Sequence, residues 1–316
     1  MSPRIAVVGS TNIDLVTVLA RMPAPGETVE APDFHIGCGG KGANQAVAAA
    51  RLGATVVMVS KVGDDAFADT SLANFRRFGI DTAHVGRVRG VPSGVATVLV
   101  EPSGENAILI VKGANAHLRP ADVEAAAAEI AGCDVVLLQL EIPLDTVRHT
   151  IAAAAARGVA TILNPAPAVA LDRELMAQVT FLVPNRSELA LLSGMPVAGD
   201  DEVIAAARTL IASGVGTVIV TLGAAGALAI SGDEVLRVAP VAVTPRDTTG
   251  AGDAFIGAFA RFWAESRDLA AALAAATLYA ADSVTRPGAQ SSYGSADDFA
   301  ALRAAHGRVP VSRSRR

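Results

Sequence analysis

The chain has 316 residues, 51% of them hydrophobic and 18% charged, with a formal net charge of −5. That is enough length and apolar material for one large α/β domain or two ordinary ones, and the acidic balance argues against a nucleic-acid surface, which draws on clustered Lys and Arg. The two cysteines, Cys38 and Cys133, form no CxxC or CxxH pair, so neither a disulfide framework nor a structural zinc site organises the fold.

The first apolar run, IAVV at 5–8, ends at Gly9. It is too short for a signal segment, and no uncharged apolar stretch of roughly 18 residues follows, so a cytoplasmic protein without membrane contact is expected. Strand candidates then recur along the chain as IAVVGS, TVVMVSKVG, DVVLLQLE, ATILNPA, FLVPN and TVIVTLG. Between them lie helical stretches: NQAVAAARLG, FADTSLANFRRFG, ADVEAAAAEIAG, LDTVRHTIAAAAARG and DEVIAAARTLIASG. Continuous apolar strands, each followed by a crossover helix, predict a doubly wound α/β core with a mainly parallel sheet buried on both faces.

Two stretches break this rhythm. Residues 13–37, with IDLVTVLA and the turn PAPGE, and residues 94–112, GVATVLVEPSGENAILIVK, read as antiparallel strands with polar turns. They predict a small side sheet, either a lid over the ligand edge of the main sheet or an ordinary surface hairpin. No linker or repeat separates independent units, so one domain, 1–316, with an inserted lid is expected. The tail, 306–316, carries Arg308, Arg313, Arg315 and Arg316 among small residues and reads as a flexible, solvated basic end.

The glycine string GCGGKG at 37–42 matches G-x-G-x-x-G, and Asp64 follows about 22 residues later, near the spacing of a dinucleotide fingerprint. The glycines follow a side-sheet strand and not the first core strand, which argues against that assignment. A P-loop fails as well, because His35 stands where glycine is required and Gly42 follows Lys41 where Ser or Thr is required. GGKGANQA offers instead a bare backbone beside Lys41 and Asn44, either a wall for a polyhydroxylated ligand or a tight strand-to-helix turn.

DTTGAGDAF, residues 247–255, precedes the apolar run AFIGAFARFW. A helix starting near Gly250 would aim the unpaired N–H groups of residues 250–253 at one point, where developing negative charge is stabilised. Asp253 beside those donors could accept a proton from an attacking hydroxyl, as phosphoryl transfer requires. In the plainer alternative, Asp247 or Thr248 caps the helix and the glycines only permit the turn. Other polar residues fall just after strands: Asn12 and Asp14, Glu141, Asn185 and Glu188, Thr221 and Gly223. Each alone reads as a cap or turn residue; together they converge on the carboxyl edge of the sheet.

With GCGGKGANQA, PNRSE, DTTGAGDAF and VTRPGAQSS in this order, the chain resembles the ribokinase (PfkB) family of sugar kinases over residues 4 to about 295. The resemblance implies a ribokinase-like fold and ATP-dependent phosphorylation of a sugar hydroxyl. In it Asp253 is the base, the backbone of Gly250, Ala251 and Gly252 is the anion hole, and Asn12, Asp14, Gly40, Lys41, Asn44 and Glu141 hold the sugar. Asn185 and Glu188 would organise magnesium (Mg2+) and its waters, while Thr221, Gly223, Gly226 and Gly252 would border ATP. A potassium (K+) site is implied at Asp247, Thr249, Ser283, Arg286, Gly288 and Ser292, largely through carbonyl oxygens.

The sequence departs from the family pattern at Pro287 in the cation segment, at Arg186 and Ser187 within the Asn-x-x-Glu stretch, and at Thr277, where a larger polar residue is expected near the adenine. GGKGANQA, QLE and VTRPGAQ point to the pentose kinase branch. APDFHIGCGGKGAN, KVGDDAFAD and SGMPV are still more similar to deoxyribokinases. Asn12 weighs the other way: in the resemblance it faces the sugar 2-position, where an amide bonds a hydroxyl, so D-ribose is the expected substrate and 2-deoxy-D-ribose the alternative. A non-catalytic sugar or nucleotide sensor that keeps the fold is a rival from another class. Alternating apolar residues on the lid strands further predict a homodimer joined through the lids.

Overall fold

The computed structural model describes residues 2–101 and 106–315. Its strands are β1 (Arg4–Val8), β2 (Asn12–Val18), β3 (Asp33–Gly39), β4 (Thr55–Val62), β5 (Asp81–Arg87), β6 (Gly94–Val100) and β7 (Asn106–Val111). They continue as β8 (Val135–Leu138), β9 (Ala160–Leu163), β10 (Phe181–Leu182), β11 (Thr217–Thr221), β12 (Ala227–Ser231), β13 (Glu234–Val238) and β14 (Val311–Arg315). The helices are α1 (Lys41–Arg51), α2 (Ala66–Arg77), α3 (Pro120–Ala125), α4 (Ala127–Ala131), α5 (Leu144–Ala156) and α6 (Arg173–Met176). The remainder are α7 (Arg186–Ser193), α8 (Asp200–Ala212), α9 (Ala251–Ser266), α10 (Leu269–Ser283) and α11 (Ala296–His306).

One ten-stranded sheet, ordered β14-β13-β12-β11-β10-β9-β8-β1-β4-β5, forms the centre. From β11 to β5 neighbouring strands are parallel, and β11 through β14 pair antiparallel at the other edge. Alternate residues of one strand enter different cores. Ile5 and Val7 of β1 pack with α1, α9 and α10, whereas Ala6 and Val8 pack with α5, α8 and the helices beside them. A strand buried on both faces has no polar face, which is why β8 and the Ile5 to Val8 stretch of β1 read as unbroken apolar runs.

The helix expected over ADVEAAAAEIAG divides at Ala126 into α3 and α4. The tail expected to be flexible is largely ordered as a strand: Val309 is buried, Ala239 N donates to Pro310 O at 2.9 Å, and β14 pairs with β13 throughout. Arg313 meets Glu234 at 3.1 Å, so the basic residues sit on a paired edge with an acid opposite; Arg316 lies outside the described residues.

The two stretches that break the βα rhythm form a separate four-stranded sheet, ordered β3-β2-β6-β7. Its outer pairs are antiparallel as expected, but its central pair, β2 with β6, is parallel. These two strands leave the body of the molecule side by side, with Asn12 opposite Gly94, and so run the same way. The polar turn expected at 102–105 lies outside the described residues. The register places Phe34, Ile36, Leu109 and Val111 on one face and Asp14 with Asn12 on the other. All four apolar side chains are exposed.

Candidate active site

β1 ends at Val8, and the chain passes through Gly9, Ser10 and Thr11 into β2, while α1 starts directly over that crossing. The approach is backbone to backbone: a Cβ on Gly42 would lie 2.6 Å from Ser10 N, and one on Gly40 would lie 2.7 Å from Asn12 N. Gly40 has φ 89°, a left-handed conformation that glycine adopts without steric cost. The first amides of α1 are all engaged. Lys41 N donates to Glu141 Oε2 at 3.1 Å, Gly42 N to Ser10 Oγ at 3.2 Å and Ala43 N to Ser10 O at 2.9 Å. Ser10 Oγ also donates to Glu141 Oε2 at 2.5 Å. Thus Glu141, just past β8, is anchored to β1 and α1 together.

α9 begins differently. Its N-cap, Gly250, has φ 75°, and no side chain caps the helix, which removes the reading of Asp247 or Thr248 as a cap. Ala251 N donates to Thr248 O at 3.2 Å, while the amides of Gly252 and Asp253 have no partner among the described residues. Of the three residues expected to form an anion hole, Ala251 therefore has its N–H occupied by the turn, and Gly252 stays open. Tyr293 Oη donates to Gly250 O at 2.9 Å, and a Cβ on Gly250 would lie 2.7 Å from both Tyr293 Oη and Ala289 Cβ, so the turn is clamped in place.

Asp253 is 7% exposed. Its Oδ2 accepts from Asn44 Nδ2 at 3.0 Å and its Oδ1 from Gln45 Nε2 at 2.9 Å. The α1–α9 crossing that permits these bonds depends on Gly257, where a Cβ would lie 2.6 Å from Gln45 O and from Ala48 Cβ. A cleft of about 210 Å³ opens over the N-terminus of α9, lined by Lys41, Asn164, Asn185, Glu188, Thr221 and residues 250–253, among others. It gathers most of the residues expected around the phosphates. Gly223 and Gly226 fall outside that lining, in the turn after β11, where Leu222 N donates to Gly226 O at 2.9 Å.

The remaining expected residues adjoin Asp253 from the side of the small sheet. Asp14 projects from β2, and a Cβ on Gly39 would fall within 2.2 Å of its carboxylate, so that glycine makes room for the acid. Burial, with Glu141 and Asp253 nearby, pushes the Asp14 carboxyl up to about 6. Burial pulls Lys41 down, yet Asp253, Glu141 and Glu188 outweigh it and leave the ammonium above its ordinary value. Burial also raises Glu188, against the opposing effects of the Asn185 amide and Lys41. Asn12 is buried, and its Oδ1 accepts from Asn115 Nδ2 at 2.7 Å. Asn115 is itself tied to the Thr11 backbone, accepting from its N–H at 2.9 Å and donating to its C=O at 3.1 Å.

The donor sets fit the two expected cations. Among the described residues no group of three or more His, Cys, Asp or Glu could hold a metal. Glu188 presents one carboxylate, fixed by Asn185 N at 2.9 Å and Asn185 Nδ2 at 2.8 Å, in the cleft beside Lys41. A single carboxylate with waters and substrate phosphates is how magnesium is commonly held. Asp247 ties two loops together: its Oδ2 accepts from Gly288 N at 2.7 Å, its Oδ1 from Thr249 N at 2.9 Å, and its own N–H donates to Val284 O at 3.2 Å. This brings Thr249 and the segment holding Ser283, Arg286, Gly288 and Ser292 beside one carboxylate, an oxygen donor of the kind a hard cation takes. Within it, Arg286 Nε already donates to Ser292 O at 2.8 Å. Thr277, expected near the adenine, donates its hydroxyl to Leu273 O within α10.

Ser10, Gln45, Asn115, Gln139 and Gln290 also take part in this network and were not expected there. Gln45, Gln139 and Gln290 carried a signal, standing inside GANQA, QLE and VTRPGAQSS.

The profile of the pfkB family of carbohydrate kinases matches residues 2–295. A deoxyribokinase from Salmonella typhi is 49% identical over 296 residues, 93% of this chain and 97% of the relative. A ribokinase from Haemophilus influenzae is 39% identical over 292 residues, 92% and 95% of the two chains. The solved structure of Arabidopsis thaliana ribokinase complexed with ribose and ATP superposes with a TM-score of 0.89 at 31% identity, covering 96% of this chain and 99% of that one. The chain belongs to the pfkB family of carbohydrate kinases.

Proposed function

We propose that this pfkB-family kinase transfers the γ-phosphoryl group of ATP to the 5-hydroxyl of D-ribose, giving D-ribose 5-phosphate and ADP. The observation that carries the reading is the meeting of a buried carboxylate, Asp253, with open helix amides at 252 and 253 and the Lys41 ammonium in one cleft. In the reaction, Asp253 takes the proton as the sugar oxygen attacks phosphorus. Gly252 N–H, Asp253 N–H and Lys41 meet the charge that spreads over the phosphoryl oxygens. Asp14, Asn44, Gly40 and Glu141 orient the sugar, and Thr221 with Asn185 borders the nucleotide. Magnesium at Glu188 would neutralise phosphate charge, and potassium beside Asp247 would add positive potential at the loop that carries the α9 N-terminus.

The choice of ribose follows from Asn12. Its oxygen accepts from Asn115, whose own orientation is set by the Thr11 backbone, and this bond fixes which end of the Asn12 amide is the nitrogen, the donor it can offer a ligand. A 2-hydroxyl accepts that bond, whereas a methylene leaves a buried donor unpaired at a cost of about 1–3 kcal/mol. The 49% identity to a deoxyribokinase favours 2-deoxy-D-ribose as the second reading.

ADP release is to be measured with D-ribose and 2-deoxy-D-ribose side by side, with and without potassium, on the parent and on Asp253→Asn. A kcat/KM at least tenfold higher for ribose, abolished by the substitution, is expected. A preference for 2-deoxyribose would overturn the Asn12 argument, and heat-stabilisation by ribose without ADP release would point to a sensor.

In the working protein, a cytoplasmic enzyme, the small sheet acts as a lid over the sugar, and the exposed Phe34, Ile36, Leu109 and Val111 face joins two copies. Light scattering should give twice the 32.0 kDa chain mass, and a single 32.0 kDa species would reject the dimer.

A further inference from the structure

The two amides that hold Asp253 are themselves held. Asn44 Oδ1 accepts from Gln290 Nε2 at 2.9 Å, and Gln290 Oε1 accepts from Asn74 Nδ2 at 2.7 Å. On the other side Gln45 Oε1 accepts from Gln139 Nε2 at 2.6 Å, and Gln45 Nε2 also reaches Asn164 Oδ1 at 3.4 Å. Asn44, Gln45 and Gln290 each receive at the oxygen and donate from the nitrogen on the side of Asp253, while Gln139 and Asn74 head the two relays as donors. Turning any one over would set a carbonyl oxygen against an acceptor. Gln45 and Gln139 are completely buried, so no bulk water replaces a lost bond.

Stability does not account for the arrangement. Gln139 Oε1 is buried with no partner among the described residues, a cost to the folded state that an apolar side chain would avoid. Gly9 is even kept clear for it, since a Cβ there would lie 2.1 Å from Gln139 Oε1. What the relays do accomplish is to direct N–H donors at both carboxylate oxygens. The charged groups facing Asp253 are Asp14 from β2, Lys41 from α1 and Glu188 from α7, with the Tyr293 hydroxyl beyond.

We propose that Gln139 and Gln290 are positioning residues for Asp253, acting through Gln45 and Asn44, so that the carboxylate meets the sugar hydroxyl in one orientation with a free lone pair toward it. This rests on the reading of Asp253 as the base. Neither glutamine touches the base; each fixes which end of the next amide faces it.

The test is steady-state ADP release with ATP and either pentose, from pH 5.5 to 8.5, on the full chain carrying Gln139→Met, Gln139→Glu, Gln290→Met or Asp253→Asn, with Tm recorded for each. Gln139→Met and Gln290→Met should each lower kcat at least tenfold, Gln139→Met with sugar KM within threefold of the parent. Gln139→Glu should approach the parent at the acid end, where its protonated carboxyl can donate to Gln45 Oε1, and lose at least tenfold relative to the parent as pH rises. A purely structural role would lower Tm but leave kcat per folded molecule and that relative pH profile unchanged, and this result overturns the proposal. If position 139 tolerates no replacement, Gln290→Met decides: reduced kcat supports the proposal and parental kcat overturns it. An active Asp253→Asn would sink the base assignment and the proposal with it, whereas an inactive one beside parental glutamine variants sinks the proposal alone.

Discussion

Two helices point their N-termini into the centre of this molecule, and they treat their first amides in opposite ways. Both α1 and α9 follow a glycine N-cap with positive φ and no capping side chain. On α1, the amides of Lys41, Gly42 and Ala43 are taken up by Glu141 and Ser10. On α9, those of Gly252 and Asp253 are left open to the cleft. The local sequence device is the same in both. What differs is the company: β1 and the segment after β8 bring acceptors to α1, and nothing described brings them to α9. One terminus is thereby a structural joint and the other is free to receive an anionic group.

The comparison breaks most severely if the open end is reshaped. Gly250→Val would combine an unfavourable φ with a clash against Ala289 and Tyr293, turning the free amides away. A loss of at least about 100-fold in kcat, on the order of 3 kcal/mol, is expected; near-parental kcat would mean that the open amides do not serve the reaction. Gly257→Leu attacks the crossing that joins the two helices, where a Cβ already finds Gln45 O and Ala48 Cβ at 2.6 Å. Overpacking of about 1–3 kcal/mol should lower Tm by several degrees, and activity should fall further than folded fraction as Asn44 and Gln45 withdraw from Asp253. An unchanged kcat per folded molecule would show that the crossing is packing alone.

Loosening the closed end should act mainly on stability. Ser10→Ala removes the acceptor for Gly42 N and the donor to Glu141, at about 1 kcal/mol, with a secondary rise in sugar KM. A large kcat defect without loss of Tm would erase the distinction between joint and anion site. A pH dependence at Asp14 separates the stability of the sugar side from both helix ends. Its folded-state proton affinity is raised from the ordinary value of 3.8 to about 6, so the stability it contributes is complete below about 3.8 and is lost as pH rises through about 6. Asp14→Asn cannot ionise, so its Tm should gain on the parent between pH 4 and 7. A Tm difference that stays constant with pH would exclude this source.

The parallel core was legible because its strands are apolar on both faces, as Ile5 to Val8 illustrate, and the two glycine strings located both helix starts. The antiparallel edge from β12 to β14 was not: its last strand carries arginines that read as a solvated tail until Glu234 is found opposite. The amides around Asp253 were equally hidden. A glutamine bound to a partner far along the chain has the same local pattern as one in water, and only tertiary placement reveals that Gln139 serves Gln45, or that Asn115 commits the oxygen of Asn12.

The parallel pairing of β2 with β6 also bears on how the chain reaches this state. No hairpin can join two parallel neighbours, and here β3, α1, β4, α2 and β5 all intervene between them. The middle of the small sheet therefore closes a large loop made of core elements, and long-range closure of this kind is slow. The small sheet should be the last unit to assemble, set in register only once Asn12 and Gly94 are brought together at the edge of the finished core. Until then the edges of β2 and β6 lack each other's backbone partners, so the late stage of folding is also one exposed to aggregation.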